Sequence, residues 1–270
     1  RSSAELGAME SGPVPDPVLD LLLGSACAVC GRPGRALCAT CRSRLPRTPV
    51  TAMPSPCPPG LAPTVAAGEY GGALKLLVNA HKEQGRFALA EPLGDLLALS
   101  VLALTGPGRM DPWRGSLPPV LIVPVPSRGS VVRRRGHDPL LRIAQRAAAR
   151  LRALGLPVTV ARLLRSTRRA RDQAGLGAAD RARNLAGSMA CTTAVAARHG
   201  VGRAALVVVD DVVTTGATVR EAQRALEAAG CMVAGVAAVA ATRRTTRLAH
   251  GRAGPITTGV DQAADPVDAD

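Results

Sequence analysis

The chain has 270 residues, a formal net charge of +14 and three aromatic residues, Tyr70, Phe87 and Trp113. That length admits one well-packed domain plus a small accessory module, at roughly 150 residues per domain. The scarcity of rings calls for a core of Ala, Val and Leu and excludes a nucleic-acid platform that stacks bases on several aromatic side chains. The positive charge suits phosphorylated ligands, nucleic acid or an anionic surface.

Residues 1–17 are polar and proline-rich and read as disordered. They lack the basic-then-apolar order of a signal peptide. No uncharged apolar stretch approaches the ~20 residues that span a bilayer, and the run from Leu96 to Leu104 is too short. These features lead to the expectation of no membrane insertion, a cytoplasmic location and reduced cysteines.

Residues 18–45 contain Cys27-x-x-Cys30 and Cys38-x-x-Cys41, two knuckles separated by seven residues. Four thiolates at this spacing can close tetrahedrally on one zinc, with no coordination position left for a reacting water, so the metal would be structural. Disulfides or a redox Cys-x-x-Cys are the competing readings; the doubled motif and a reducing compartment weigh against them. Cys57, Cys191 and Cys231 have no partner at such spacing. Arg32, Arg35, Arg42, Arg44 and Arg47 flank the knuckles, either as a contact surface or as a solvated basic face.

Seven prolines between Pro46 and Pro63 with no apolar period read as a linker, residues 46–63. The main domain is expected over residues 64–242. Leu74, Leu77 and Val78, then Leu89, Leu93, Leu96 and Leu97, keep helical spacing with a break near Gln84-Gly85, predicting two helices. Val120 to Val125 is a short β-branched run that predicts a buried strand. Asp138-Pro139 then offers an N-cap with proline at the first helical position, and Gly155 stops the helix. The same grammar returns as a strand over Ala204–Val209, a loop over Asp210–Ala217, a helix over Thr218–Ala229 and a strand over Met232–Ala241. Alternating buried strands and helices predict an α/β fold with a parallel, Rossmann-like sheet. Residues 243–270 read as a disordered tail.

The segment Val207 to Thr218 carries the chemistry. Ligands of open α/β sheets sit beyond the carboxyl ends of the strands, where Asp210 and Asp211 fall. Two adjacent carboxylates there can accept hydrogen bonds from the vicinal 2′ and 3′ hydroxyls of a ribose. Thr214-Thr215-Gly216-Ala217-Thr218 can wrap a 5′-phosphate with backbone N–H groups and hydroxyls at a helix N-terminus. The plainer reading is a strand end followed by a turn and an N-cap; the ordered strand, two acids, loop and helix favour the ligand site. The absence of a Lys after the glycine excludes a Walker loop.

At these residues the chain resembles the 5-phosphoribosyl-1-pyrophosphate (PRPP) motif of type I phosphoribosyltransferases. More widely it resembles the ComF family, which joins a cysteine-rich zinc module to such a domain. The likeness takes in the cysteine cluster, the Leu74–Gly85 helix with Lys82, Val123-Pro124-Val125-Pro126, Arg135-Gly136, Gln173 and Arg183-Asn184. It departs after Gly136, where His137, Asp138 and Pro139 replace the usual aromatic, Asn and Gln. A second cysteine group is missing, with Cys57 as its one counterpart.

The resemblance implies a type I phosphoribosyltransferase core in which Asp210 and Asp211 hold the ribose and act in catalysis, and Val213, Thr214, Thr215, Gly216, Ala217 and Thr218 hold the 5′-phosphate. The turn after Val125-Pro126 would take pyrophosphate, with Arg133, Arg134 and Arg135 adding charge, unless they form a solvated loop. Arg162 to Asn184 would be a flap, with Arg168, Arg169, Arg171, Gln173, Arg183 and Asn184 as its candidates. The implied reaction transfers phosphoribosyl from Mg²⁺-bound PRPP to a nitrogenous base or amine acceptor and releases pyrophosphate. A PRPP-binding accessory protein without turnover is the alternative, linked through the family to DNA uptake in competent bacteria, with single-stranded DNA or a DNA-uptake protein as partner. His81 and His137 are conceivable proton-transfer groups, or ordinary histidines.

Overall fold

A computed structural model describes residues 26–105, 118–127, 132, 136–167, 185–199 and 204–242. The expected tails, Arg133, Arg134, Arg135 and the flap residues from Arg168 to Asn184 lie outside these.

Six strands form one sheet: β1 (Val50–Thr51), β2 (Thr64–Glu69), β3 (Val120–Pro124), β4 (Val158–Val160), β7 (Ala205–Val213) and β8 (Val233–Ala241). The order is β1-β2-β8-β7-β3-β4, with every pairing parallel except β1 on β2. Between them, β5 (Leu164–Ser166) and β6 (Met189–Cys191) make a separate antiparallel hairpin. All five residues of β3 are buried, as is most of β7 and β8. Such strands are covered on both faces, which is why their sequences run apolar rather than alternate.

The helices are α1 (Ala39–Ser43), α2 (Gly72–Glu83), α3 (Ala90–Thr105), α4 (Pro139–Ala153), α5 (Thr193–Arg198) and α6 (Ala217–Glu227). The break expected near Gln84-Gly85 is where α2 stops, and Gly85 takes φ +65° there. A 3₁₀ turn, Phe87–Leu89, then feeds α3. Asp138 caps α4 through Leu141 N–H at 3.2 Å, with Pro139 at its start. Leu93, Leu97 and Val101 of α3 are fully buried, each contributing roughly 1.5–3 kcal/mol. Helix α3 lies on α4, β2 and β8. At the α3–α4 crossing a Cβ on Gly94 would fall 2.5 Å from Arg146 Cβ, so only glycine fits there.

Three expectations need correction. The apolar run ending at Leu104 belongs to a 19-residue helical stretch, Phe87–Thr105, long and apolar enough to cross a membrane by composition. Its burial against the sheet marks it as a core helix. The linker at 46–63 is built into the fold: Val50 and Thr51 pair with Ala66 and Val65, and Leu61 and Ala62 are buried. Finally, β7 does not end at Val209. It runs to Val213, because Asp210, Val212 and Val213 go on pairing with Ala238, Ala240 and Ala241 of β8.

Candidate functional site

Strand β3 makes its last pair at Pro124↔Val209, whereas β7 continues for four more residues on β8 alone. The result is a notch at the carboxyl edge of the sheet, on the side of β7 that β3 has left. Asp210 and Asp211 are the first residues past that point. Asp211 is buried and Asp210 half-buried. Asp210 Oδ1 accepts from Asp211 N–H at 2.8 Å. Lys82 Nζ, from the last turn of α2, lies 2.7 Å from Asp211 Oδ2. Burial, then the charge of Asp211, pushes the Asp210 carboxyl up to about 8, although Lys82 and the Asp211 N–H pull the other way. Asp210 is therefore easier to protonate than an ordinary aspartate.

Directly after β7, Thr214 is exposed, Thr215 and Thr218 are half-buried and Gly216 is buried. Val213 is buried within the strand, and its carbonyl accepts from Thr242 N–H at 2.9 Å. Gly216 is the N-cap of α6 at φ +73°, with no side-chain capping bond. A left-handed residue suits glycine, and the first-turn N–H groups of α6 therefore rely on acceptors from outside the helix. Ala217 N–H has Thr215 Oγ1 at 3.4 Å. A Cβ on Gly216 would meet Pro54 Cγ at 2.7 Å and Leu61 Cδ2 at 3.2 Å, so the segment read as a linker braces the loop from beneath. That segment also accepts from Arg220 at Pro59 O (2.9 Å) and from Gln223 at Gly60 O (2.9 Å). Cys57 is exposed on it and stands apart from the other cysteines.

On the other side of the notch, Ser127 Oγ, just past β3, donates to Asp138 Oδ1 at the start of α4 at 3.1 Å. His81 is fully buried, with Nδ1 3.2 Å from Arg86 O and Nε2 3.2 Å from Pro139 O. Burial lowers its basicity below that of an ordinary histidine despite those carbonyls. It is an anchor between α2 and α4, not a proton shuttle facing the notch. His137 stacks edge-on against Phe87 with ring centres 4.6 Å apart. The base of the expected flap, β5–β6, is held by α6: Glu221 accepts from Met189 N–H at 3.1 Å, and Arg224 donates to Met189 O at 3.2 Å. Cys191 and Cys231, unpartnered in the sequence reading, have interacting thiols, and burial raises both.

The sulfurs of Cys27, Cys30, Cys38 and Cys41 all lie within 4.8 Å of one another, with Cys30 and Cys38 3.7 Å apart. A tetrahedral zinc with bonds of about 2.3 Å separates its sulfurs by about 3.8 Å, so the four cysteines can hold such a structural metal. Cys38 N–H donates to Cys27 Sγ at 3.5 Å. Burial opposes ionisation of Cys27, but the N–H groups of Cys38, Cys30 and Val29 outweigh it and bring the thiol down to about 6. Cys41, desolvated beside the other thiols, is pushed up to about 12. Arg42, read in sequence as part of a contact surface or a solvated basic face, is exposed and paired with acids of α3, 3.2 Å from Glu91 and 3.7 Å from Asp95. Arg86 donates to Ala26 O. The cysteine module is therefore docked on the domain.

A cavity of about 190 Å³ opens at the carboxyl ends of β2 and β8, lined by Thr51, Met53, Ser55, Glu69 and Thr242 among others. It adjoins the segment that braces Gly216. Lys82 and the bracing segment were not assigned to the site by sequence. The signal for Lys82 was its rarity, because Lys75 is the only other lysine in the chain. No family model matches the chain, and no curated protein is similar to it.

Proposed function

We propose that the notch beside Asp210 and Asp211 binds PRPP, and that the protein is a type I phosphoribosyltransferase of ComF type. The observation that carries this reading is the continuity of the site. Two acids stand where β3 has stopped, and five residues after the second a left-handed glycine opens a helix without a side-chain cap. A ribose spans such an interval, with its hydroxyls on the acids and its 5′-phosphate at the N–H groups of α6.

In this reading the chain transfers the phosphoribosyl group to a nitrogenous base or amine. The C1–O bond breaks, its electron pair leaves on pyrophosphate, and the acceptor nitrogen bonds C1. Clamping both ends of the donor supplies most of the catalysis. Mg²⁺ would enter as part of the substrate: Asp211 is already paired to Lys82, and burial holds the Asp210 carboxyl above the usual carboxylate range, which disfavours both as direct ligands. A cytoplasmic location, where PRPP is made, belongs to the same proposal. Zinc on the four cysteines keeps the accessory module folded.

A PRPP-binding accessory protein without turnover is the second reading. It is favoured by the locking of His81, buried between two carbonyls, which removes that histidine as a base for the acceptor. Its partner would be single-stranded DNA, drawn by the charge of +14, or a DNA-uptake protein.

The test is calorimetric titration with Mg²⁺-PRPP beside pyrophosphate release over a panel of purines, pyrimidines and amines. Binding and turnover that are both lost in Asp211→Ala support the enzyme. Binding without turnover supports the accessory reading, and absence of both sinks the site.

A further inference from the structure

We propose that Lys82 is the residue by which the site recognises an anionic group on C1, so that it selects PRPP over ribose 5-phosphate. The proposal rests on the reading of the notch as a PRPP site and adds a role for a residue outside the phosphate loop.

Lys82 stands between the two halves of that site. Its ammonium is 2.7 Å from Asp211 Oδ2 on β7. The helix end that carries it is fixed by the neighbouring His81, whose Nε2 meets Pro139 O at the start of α4. Asp138, the cap of α4, in turn accepts from Ser127 Oγ just past the end of β3. One short helix end thus links the ribose acids to the start of α4 and the carboxyl end of β3.

The chemistry of the ligand makes this position selective. In PRPP the pyrophosphate on C1 lies on the same face of the ring as the 2′ and 3′ hydroxyls. An ammonium touching the carboxylate that takes those hydroxyls is therefore within one side-chain rotation of the leaving-group oxygens. Lysine suits the move: the ammonium carries three donors on a flexible stem. The Lys82 side chain is 38% exposed whereas that of Asp211 is 9% exposed. The acid is the more enclosed partner and the lysine the more accessible one. As ribose hydroxyls donate to Asp211 they compete with the ammonium for its oxygens, and the pyrophosphate offers that ammonium a stronger anionic partner.

A purely local role, in which Lys82 only keeps Asp211 ionised, predicts something different. Loss of the lysine would then weaken every ribose ligand alike, whatever C1 carries. The experiment compares wild type, Lys82→Met and Lys82→Arg by calorimetry, with Mg²⁺-PRPP and with ribose 5-phosphate. Lys82→Met should weaken Mg²⁺-PRPP by tenfold or more and ribose 5-phosphate by less than threefold, and Lys82→Arg should recover part of the loss. Equal weakening of both ligands, or none, overturns the proposal. If wild type binds neither ligand, the site reading itself fails.

A second measurement needs no variant. Lys75 and Lys82 are the only lysines, and Lys75 is exposed on α2, so labelling with an amine-reactive reagent and mass spectrometry reads Lys82 against an internal control. Mg²⁺-PRPP should protect Lys82 at least fivefold while ribose 5-phosphate does not. Protection by both ligands, or by neither, overturns the assignment.

Discussion

Replacing Asp210 by Asn should reverse a specific part of the pH dependence of stability. In the folded chain burial and the adjacent Asp211 charge raise the Asp210 carboxyl to about 8, whereas an unfolded aspartate titrates near 3.9. Between these values the folded state holds a proton that the unfolded state has lost. Stability contributed at this residue must fall as pH rises through that window and level off above about 8. One proton sets a ceiling of ~1.4 kcal/mol per pH unit, or about 3–5 °C per unit for a domain of this size. Asp210 is half-buried, and water that reaches it lowers the slope below that ceiling. The assay is thermal unfolding of wild type and Asp210→Asn at pH 5, 6, 7 and 8, taking the difference in Tm. The variant should gain on wild type steadily from pH 5 to pH 8. Asp211→Asn should flatten the same slope by removing the neighbouring charge while Lys82 remains. Difference curves that stay level across the range would show that Asp210 ionises normally and that the acid pair holds no shared proton.

The remaining predictions concern the histidine anchor and the cysteines. His81 is buried with lowered basicity, so its contribution is fully present above an unfolded value of about 6.5 and is lost as pH falls through it. His81→Gln should be less stable at pH 7 yet lose less between pH 7 and pH 5, measured as urea midpoints. The chain should bind one zinc. Cys30→Ser or Cys41→Ser should cut that to near zero by metal analysis, because a closed four-thiolate site tolerates no missing ligand.

The parts of the fold that sequence predicted well are those with a local physical cause. The α4 cap follows from Asp138-Pro139, and the break between α2 and α3 follows from Gly85. The order of acids, hydroxyls and Gly216 was legible because each residue acts near its own position in the chain. What escaped was set by pairing at a distance. Strand β7 overruns Val209 because β8 is long enough to keep pairing with it, and no feature of Asp210-Asp211 announces that. Strand β2, Thr-Val-Ala-Ala-Gly-Glu, is buried at its first five positions, yet its alanines and glycine carry little strand preference. The prolines of 46–63 signal irregular backbone correctly, but not that Pro54 and Leu61 would pack beneath the phosphate loop. The pairing of Lys82 with Asp211 joins residues far apart in sequence and was likewise invisible.

One consequence of the docking links the two predicted sites. Ala26, next to Cys27 of the four-cysteine cluster, accepts from the Arg86 guanidinium. The Arg86 carbonyl in turn meets His81 Nδ1 at 3.2 Å, and His81 precedes Lys82, whose ammonium holds Asp211. The cysteine module is therefore joined to the acid pair through three residues, Arg86, His81 and Lys82, at the end of α2. Proximity of this kind does not by itself establish coupling; coupling requires that the metal and Lys82 bias the same element. That element would be the C-terminal turn of α2, which His81 holds through both Arg86 O and Pro139 O. If the link operates, zinc removal should raise the amine reactivity of Lys82, and Arg86→Ala should raise it similarly with zinc bound. Combining the two should then add little. Additive effects would mean that the module and the notch are merely neighbours and that the zinc serves the stability of the module alone.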